Sequence, residues 1–197
     1  MNQVNLVRLF VAVPVPPEIK HAFASWIDQI KPHLSFRKWV HPGDLHITLQ
    51  FLGDTPSGSV FRINQVLHEI MTVTSPLSLR MEPLGFFGRS TQPSVLWAGV
   101  GGDVEGLRNL QKRVTDTLTP LGFSIEDRNF HPHLTLARNY IGKTSFDSNK
   151  LSTFTMLNSS PEDLLSWESN EVMLYRSHLN KRPMYEAITF DDDSKSE

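Results

Sequence analysis

One four-residue pattern occurs twice in the 197-residue chain, as His46-Ile47-Thr48-Leu49 and His133-Leu134-Thr135-Leu136. Each copy reads His, apolar, Thr, Leu. On an extended strand, successive side chains point to opposite faces. The His and Thr of each copy then share one face, and the apolar pair takes the other. Ile47, Leu49, Leu134 and Leu136 are expected in a core. His46, Thr48, His133 and Thr135 are expected on a common cleft if the two strands lie side by side. A helix of similar length precedes each copy, over residues 17–34 and 103–121. Ile19, Phe23, Trp26, Ile27, Ile30 and Leu34 form an apolar stripe on the first. Val104, Leu107, Leu110, Val114, Leu118 and Leu121 form one on the second, at the three- and four-residue spacing of a helix face. The chain therefore reads as two related lobes.

Strands are expected at residues 8–13, 39–40, 46–52, 77–81, 95–100, 133–136, 172–176 and 185–190. A further helix starts near Ser57, with Val60, Ile63, Leu67 and Ile70 on one face. Gly101-Gly102-Asp103 reads as a turn and helix N-cap. The segment Pro83 to Pro93, with two Pro and two Gly, reads as a loop, as does the polar stretch 141–160. No Gly-rich loop joins a strand to a helix in the way phosphate-cradling folds require. The fold class is α+β: two pseudo-symmetric lobes of antiparallel sheet, with helices on the outside and an active-site cleft between them. Residues 1–190 are read as a single bilobal domain and residues 191–197 as an acidic flexible tail.

The chain has no cysteine, which excludes disulfides, zinc thiolates and thiol nucleophiles. Its first apolar run, Leu6 to Val13, is short and contains Arg8. It matches neither a signal peptide nor a membrane helix, so a cytoplasmic protein without a membrane partner is expected. The absence of an obvious apolar helix face left over makes a monomer the default. Net charge is -2, whereas a protein that grips a long nucleic acid shows a basic excess. Any RNA is then held by its end, through a few local Arg and Lys.

Two imidazoles and two hydroxyls around one small group suit phosphodiester cleavage. One group must accept a proton from the nucleophile and another must protonate the leaving oxygen. Histidine, with an unperturbed pKa of about 6.5, serves in either role near neutrality. Thr hydroxyls can donate to non-bridging phosphate oxygens. A metal centre is the competing reading, since His41, His46 and His131-Pro132-His133 could supply ligands. No acidic residue stands near them at a recognisable ligand spacing and no His-Glu-x-x-His occurs, so no metal and no cofactor is expected. His41 and His131 flank the motifs as candidate supporting groups. His21, His33 and His68 fall on helix surfaces, and His178 is uninformative.

With these flanks the chain resembles the two-histidine phosphoesterases, in particular the RNA 2',3'-cyclic phosphodiesterase family, also called 2'-5' RNA ligase. The resemblance rests on residues 39–53, which contain Trp39-Val40-His41-Pro42-Gly43-Asp44-Leu45 ahead of His46, and on Phe130 to Arg138. The opening run 8–13, the segments 86–87 and 95–100, and Leu174-Tyr175-Arg176-Ser177 with Tyr185 support it. It implies metal-free opening of a terminal cyclic phosphate to a 2'-phosphate, and weak reversible 2'-5' ligation. It implies His46 as proton donor and His133 as proton acceptor. Thr48, Thr135 and Arg138 would bind phosphate, and Phe10, Trp39 or Phe51 would stack on the terminal base unless they belong to the core. Arg138 lies five residues from His133, so strict alternation turns it away from the cleft; it reaches the cleft if the strand bulges or ends near Ala137. The partners implied are RNA ends carrying a 2',3'-cyclic phosphate, such as tRNA halves, or small cyclic-phosphate nucleotides. Two alternatives stand beside this reading. One is a phosphodiesterase of a small nucleotide (ADP-ribose cyclic phosphate or 2'-5' oligoadenylate), and the other a non-catalytic RNA- or nucleotide-binding module.

Overall fold

A computed structural model of the chain describes residues 5–124, 129–154 and 165–189. Among them, nine strands and three α-helices follow one another as β1 (Leu6–Pro14), α1 (Pro17–Ile30), β2 (Phe36–Trp39), β3 (His46–Pro56), α2 (Val60–Thr72), β4 (Leu77–Arg89), β5 (Gln92–Gly102), α3 (Val104–Leu118), β6 (His133–Tyr140), β7 (Ser166–Ser169), β8 (Met173–Ser177) and β9 (Tyr185–Ile188). Every strand pairing is antiparallel, as the α+β reading requires. The sheet order is β7-β4-β5-β6-β3-β1-β8-β9, with β2 added against β6. This order is symmetric about its centre. β6 and β3, the two motif strands, meet in the middle with three strands outside each. Their contact is a single register pair, Ile47 with Leu134. The sheet curls open on either side of that seam.

The helices cover one face of the curled sheet. Leu9, Val11 and Val13 of β1, Ile47 and Leu49 of β3, and Leu134 and Leu136 of β6 point into it. They join Phe23 and Ile27 of α1, Ile63 and Leu67 of α2, and Leu107 and Val114 of α3 in one continuous core. Each such side chain contributes about 1.5–3 kcal/mol through burial. The alternate residues of β1, Phe10 and Ala12, face the other way and cluster with Tyr175. Helix starts follow local chemistry. Pro17 opens α1 at the first helical position, where the missing N–H would have no intrahelical acceptor, and the Asp103 carboxylate accepts from Gly106 N at 2.8 Å to cap α3.

The segment expected as a loop from Pro83 to Pro93 is instead most of a long hairpin, with β4 running to Arg89 and β5 starting at Gln92. Each breaker residue has a use inside it. Pro83 sits where the register shifts between Glu82 and Leu84, a bulge at which no ladder donor is needed. Gly85 lies under the Trp97 ring, where a Cβ would come within 2.2 Å of a ring carbon. Gly88 has φ of 101° at a second register shift, a conformation that disfavours any side chain. Within 141–160, a 3-10 turn forms over Ser148–Thr153, and residues 155–160 lie outside the described set, as does the tail 191–197. Strand β7 was not expected; it pairs only the start of β4, Leu77 to Arg80. No helix among the described residues is long and apolar enough to cross a membrane.

Candidate active site

The seam between β3 and β6 assembles the site. Continuing the Ile47–Leu134 register by one residue each way sets His46 opposite Thr135 and Thr48 opposite His133. All four side chains are half-buried on the open face, while Ile47, Leu49, Leu134 and Leu136 are fully buried on the other. Alternation thus orients the two motifs as their sequences predict.

Alternation then breaks at matching points. Across β1 and β3, Val11 pairs with Gln50 but Ala12 pairs with Thr48, leaving Leu49 extra. Across β5 and β6, Leu96 pairs with Ala137 but Trp97 pairs with Thr135, leaving Leu136 extra. Each motif's final Leu is therefore the extra residue of a β-bulge, and two consecutive residues are buried on each strand, Leu49-Gln50 and Leu136-Ala137. A bulge swaps the faces of everything beyond it. Phe51 and Arg138 consequently return to the open face. Arg138 lines a small pocket with Val40, Asp44, His46, Thr135 and Tyr185.

Both histidines are anchored the same way. His46 Nδ1 is 2.6 Å from the Asp44 carbonyl oxygen, and His133 Nδ1 is 2.7 Å from that of His131. A carbonyl can only accept, so each Nδ1 carries the hydrogen and each Nε2 is left to work in the cleft. His46 Nε2 lies 3.0 Å from Thr48 Oγ1; among the described residues His133 Nε2 has no hydrogen-bond partner. The turn Pro42–Asp44 before His46 is itself held. Gly43 N donates to His41 Nδ1 at 3.1 Å, and Lys20 Nζ of α1 donates to the Gly43 carbonyl at 2.9 Å. The Asp44 carboxylate, 5% exposed, accepts from Met184 N at 3.0 Å and Tyr185 N at 2.9 Å. It pins the start of β9 against His46. Sequence reasoning missed Asp44 and Tyr185 as parts of the site. They meet across about 140 residues of chain, and no local signal points from one to the other.

Aromatic rings wall both imidazoles. Phe10, Tyr185 and Tyr175 centroids lie 4.7, 5.1 and 5.9 Å from His46. Phe87 and Trp97 lie 5.0 and 6.1 Å from His133. Burial disfavours the charged imidazolium and pushes His46 down to about 4, with the charges of Lys20, His133 and Arg138 adding to the effect. His133 is lowered for the same first reason, with His131 and Arg138 adding to it. Burial raises Tyr175 to about 12, so it stays a neutral phenol. The positive charges of Lys20 and Arg138 act on the His46 imidazole, while the Asp44 carboxylate is satisfied by backbone donors, and this suits an anion. Among the described residues no three His, Asp or Glu side chains group to hold a metal ion. A larger cavity of about 420 Å³ beside β4, lined by Leu84, Phe86, Trp97, Ser148 and Leu151 among others, has no titratable side chain in its lining.

The three aromatic candidates separate. Phe10 is 2% exposed and is stacked on Tyr175 at 5.2 Å, with His46 and Tyr185 against it. It offers no free face to a base, and the expectation that it stacks on substrate is corrected: it is a wall of the His46 pocket. Trp39 pairs with Ala137 and packs on the main core. Phe51 is 55% exposed, on the open face beyond its bulge.

The model of the 2'-5' RNA ligase superfamily matches residues 15–180. A relative named RNA 2',3'-cyclic phosphodiesterase from Geobacillus stearothermophilus is 36% identical over 179 residues, 91% of this chain and 55% of that protein. One of the same name from Bacillus subtilis (strain 168) is 31% identical over 186 residues, 91% of this chain and 92% of that protein. The chain thus spans about half the length of the first and nearly all of the second. Among solved structures, E. coli LigT complexed with 3'-AMP superposes with a TM-score of 0.69 at 24% identity, over 94% of this chain and 97% of that one. TT0787 of Thermus thermophilus gives 0.67 at 26% identity, over 92% and 94%. The family model and these relatives agree: the chain belongs to the 2'-5' RNA ligase superfamily.

Proposed function

We propose that the chain is an RNA 2',3'-cyclic phosphodiesterase that opens the terminal cyclic phosphate to a 2'-phosphate by metal-independent acid–base catalysis. The observation that carries this is the pair of imidazoles on the two strands of the β3–β6 seam, each tied through Nδ1–H to a carbonyl. In the proposed step His133 Nε2 takes a proton from water as the water oxygen bonds to phosphorus. The P–O3' bond breaks, and His46, held by the bound anion as the imidazolium with its Nδ1–H still on the Asp44 carbonyl, gives its Nε2 proton to the departing O3'. Thr48, Thr135 and Arg138 hold the non-bridging oxygens, where charge builds. The product is a 2'-phosphate beside a free 3'-hydroxyl, and solvent exchange resets the two histidines. A 5'-hydroxyl in place of water gives 2'-5' ligation by the same route. The proposal takes residues 1–190 as one bilobal domain, monomeric and cytoplasmic, acting on RNA ends such as tRNA halves.

The deciding experiment incubates a short RNA ending in a 2',3'-cyclic phosphate with the protein and EDTA. A 2'-phosphate is expected. A 3'-phosphate would move the leaving group to O2' and strip His46 of its proposed role. No product would overturn the reaction altogether.

The lowered imidazoles set a pH expectation. An anionic substrate compensates their charge, so both values rise on binding. The limbs of the kcat profile, which reports the bound state, should then lie at higher pH than those of kcat/KM, which reports the free protein. Coincident limbs, or a shift to lower pH, would contradict the anion between the histidines. The same shift bears on stability. The folded value of His46 lies below the unfolded value near 6.5, so the unfolded chain binds more protons between pH 6.5 and about 4. Stability falls as pH drops through that window, by on the order of 3 kcal/mol, and inorganic phosphate should oppose the loss.

A further inference from the structure

Lys38 and Arg138 are register partners across β2 and β6. Directly paired residues project from the same side of a sheet, with Cβ atoms about 4.5–5.5 Å apart. Lys38 is therefore a direct neighbour of Arg138 on the side that lines the histidine pocket. Both residues are exposed. Among the described residues neither side chain makes a hydrogen bond or an ion pair. Like charges directly opposite one another destabilise a strand pair. The chain has 21 acidic residues against 19 Lys and Arg, yet none of those described neutralises this doublet. Lys20, the other cation near the cleft, differs. Its ammonium is bound to the Gly43 carbonyl and faces the charge of Asp44.

We propose that Lys38 extends the Arg138 phosphate site onto the next phosphodiester of a single-stranded RNA end, so that the enzyme selects oligonucleotide ends over mononucleotides. This rests on the function proposed above. A terminal cyclic phosphate carries one negative charge, which Arg138 meets. The second cation, one strand farther out, has no counterpart in a mononucleotide. It has one in a chain, where each successive phosphodiester adds a charge and where neutralising it releases counterions. Positioning by backbone phosphate contacts of this kind carries no base preference. It also reconciles a protein of net charge -2 with an RNA substrate, since the basic surface needed is two side chains rather than a whole face.

The test compares kcat/KM for a nucleoside 2',3'-cyclic phosphate with that for a short RNA ending in the same nucleotide, in the parent and in Lys38→Ala, Lys38→Arg and Lys38→Glu. The ratio of oligonucleotide to mononucleotide should fall about five- to tenfold in Lys38→Ala, fall further in Lys38→Glu, and be kept in Lys38→Arg. The slope of log kcat/KM for the RNA against log salt should shrink by about 0.7 in Lys38→Ala. Because the doublet repels itself, Lys38→Ala should melt no lower than the parent at low salt, which separates lost binding from lost folding. A ratio unchanged in all three variants, or a parallel loss on both substrates, overturns the proposal for Lys38 alone. A parent protein that turns over neither substrate overturns the phosphodiesterase reading, and this inference with it.

Discussion

His46→Ala and His133→Ala should each lower kcat/KM on a cyclic-phosphate RNA by about 10³-fold or more. A positioned acid or base is worth about 10²–10⁴, and in the proposed step each group completes a proton relay that the other begins. The double variant should lose little beyond the worse single one, because groups that act as a unit are not additive. Alanine also removes a ring from between Phe10 and Tyr185. His46→Asn is the cleaner partner variant, since its side-chain amide keeps a donor toward the Asp44 carbonyl that holds Nδ1. Thermal melting of each variant checks that the fold is retained. A folded variant within tenfold of the parent at either position would remove that histidine from the mechanism.

Arg138→Ala should cost about 10²–10³ in kcat/KM, the range for a preorganised donor to a developing oxyanion. Arg138→Lys should recover part of it, keeping the charge but losing the forked geometry. A pH effect accompanies the loss. Arg138 is among the charges that hold both histidines down, so its removal raises both values and both limbs of the kcat/KM profile should move to higher pH. A loss of rate with unmoved limbs would leave Arg138 acting away from the imidazoles.

The two motif strands were legible because their code is local. Alternation alone separates His46 and Thr48 from Ile47 and Leu49, and the same holds around His133. The helices were legible from their apolar spacing, and α3 from its Asp103 cap. Arg138 was legible only conditionally. Its face depends on a bulge at Leu136, and a bulge is created by the pairing with β5, which no single-strand pattern contains. The hairpin from Leu77 to Gly102 was misread for a related reason. Pro83, Gly85 and Gly88 interrupt a strand by local rules, but a bulge, an overlying Trp97 ring and a second register shift absorb them. Phe10 came in as a platform for a base only through the resemblance, with the core as its alternative, and its burial and ring stack with Tyr175 make it a wall. The Asp44 clamp left no trace at all, because its two donors are backbone N–H groups, which every residue but proline has.

That clamp has a bearing on when the site can exist. The turn that aims His46 is complete early in the chain, yet the carboxylate inside it is satisfied only by Met184 and Tyr185. Closing a loop of such length is among the slower events in folding, because its entropy is lost before any contact repays it. A growing chain emerging from the ribosome would therefore hold both histidine strands well before it holds the hairpin that braces one of them. The brace on the His46 turn arrives only when Met184 and Tyr185 do.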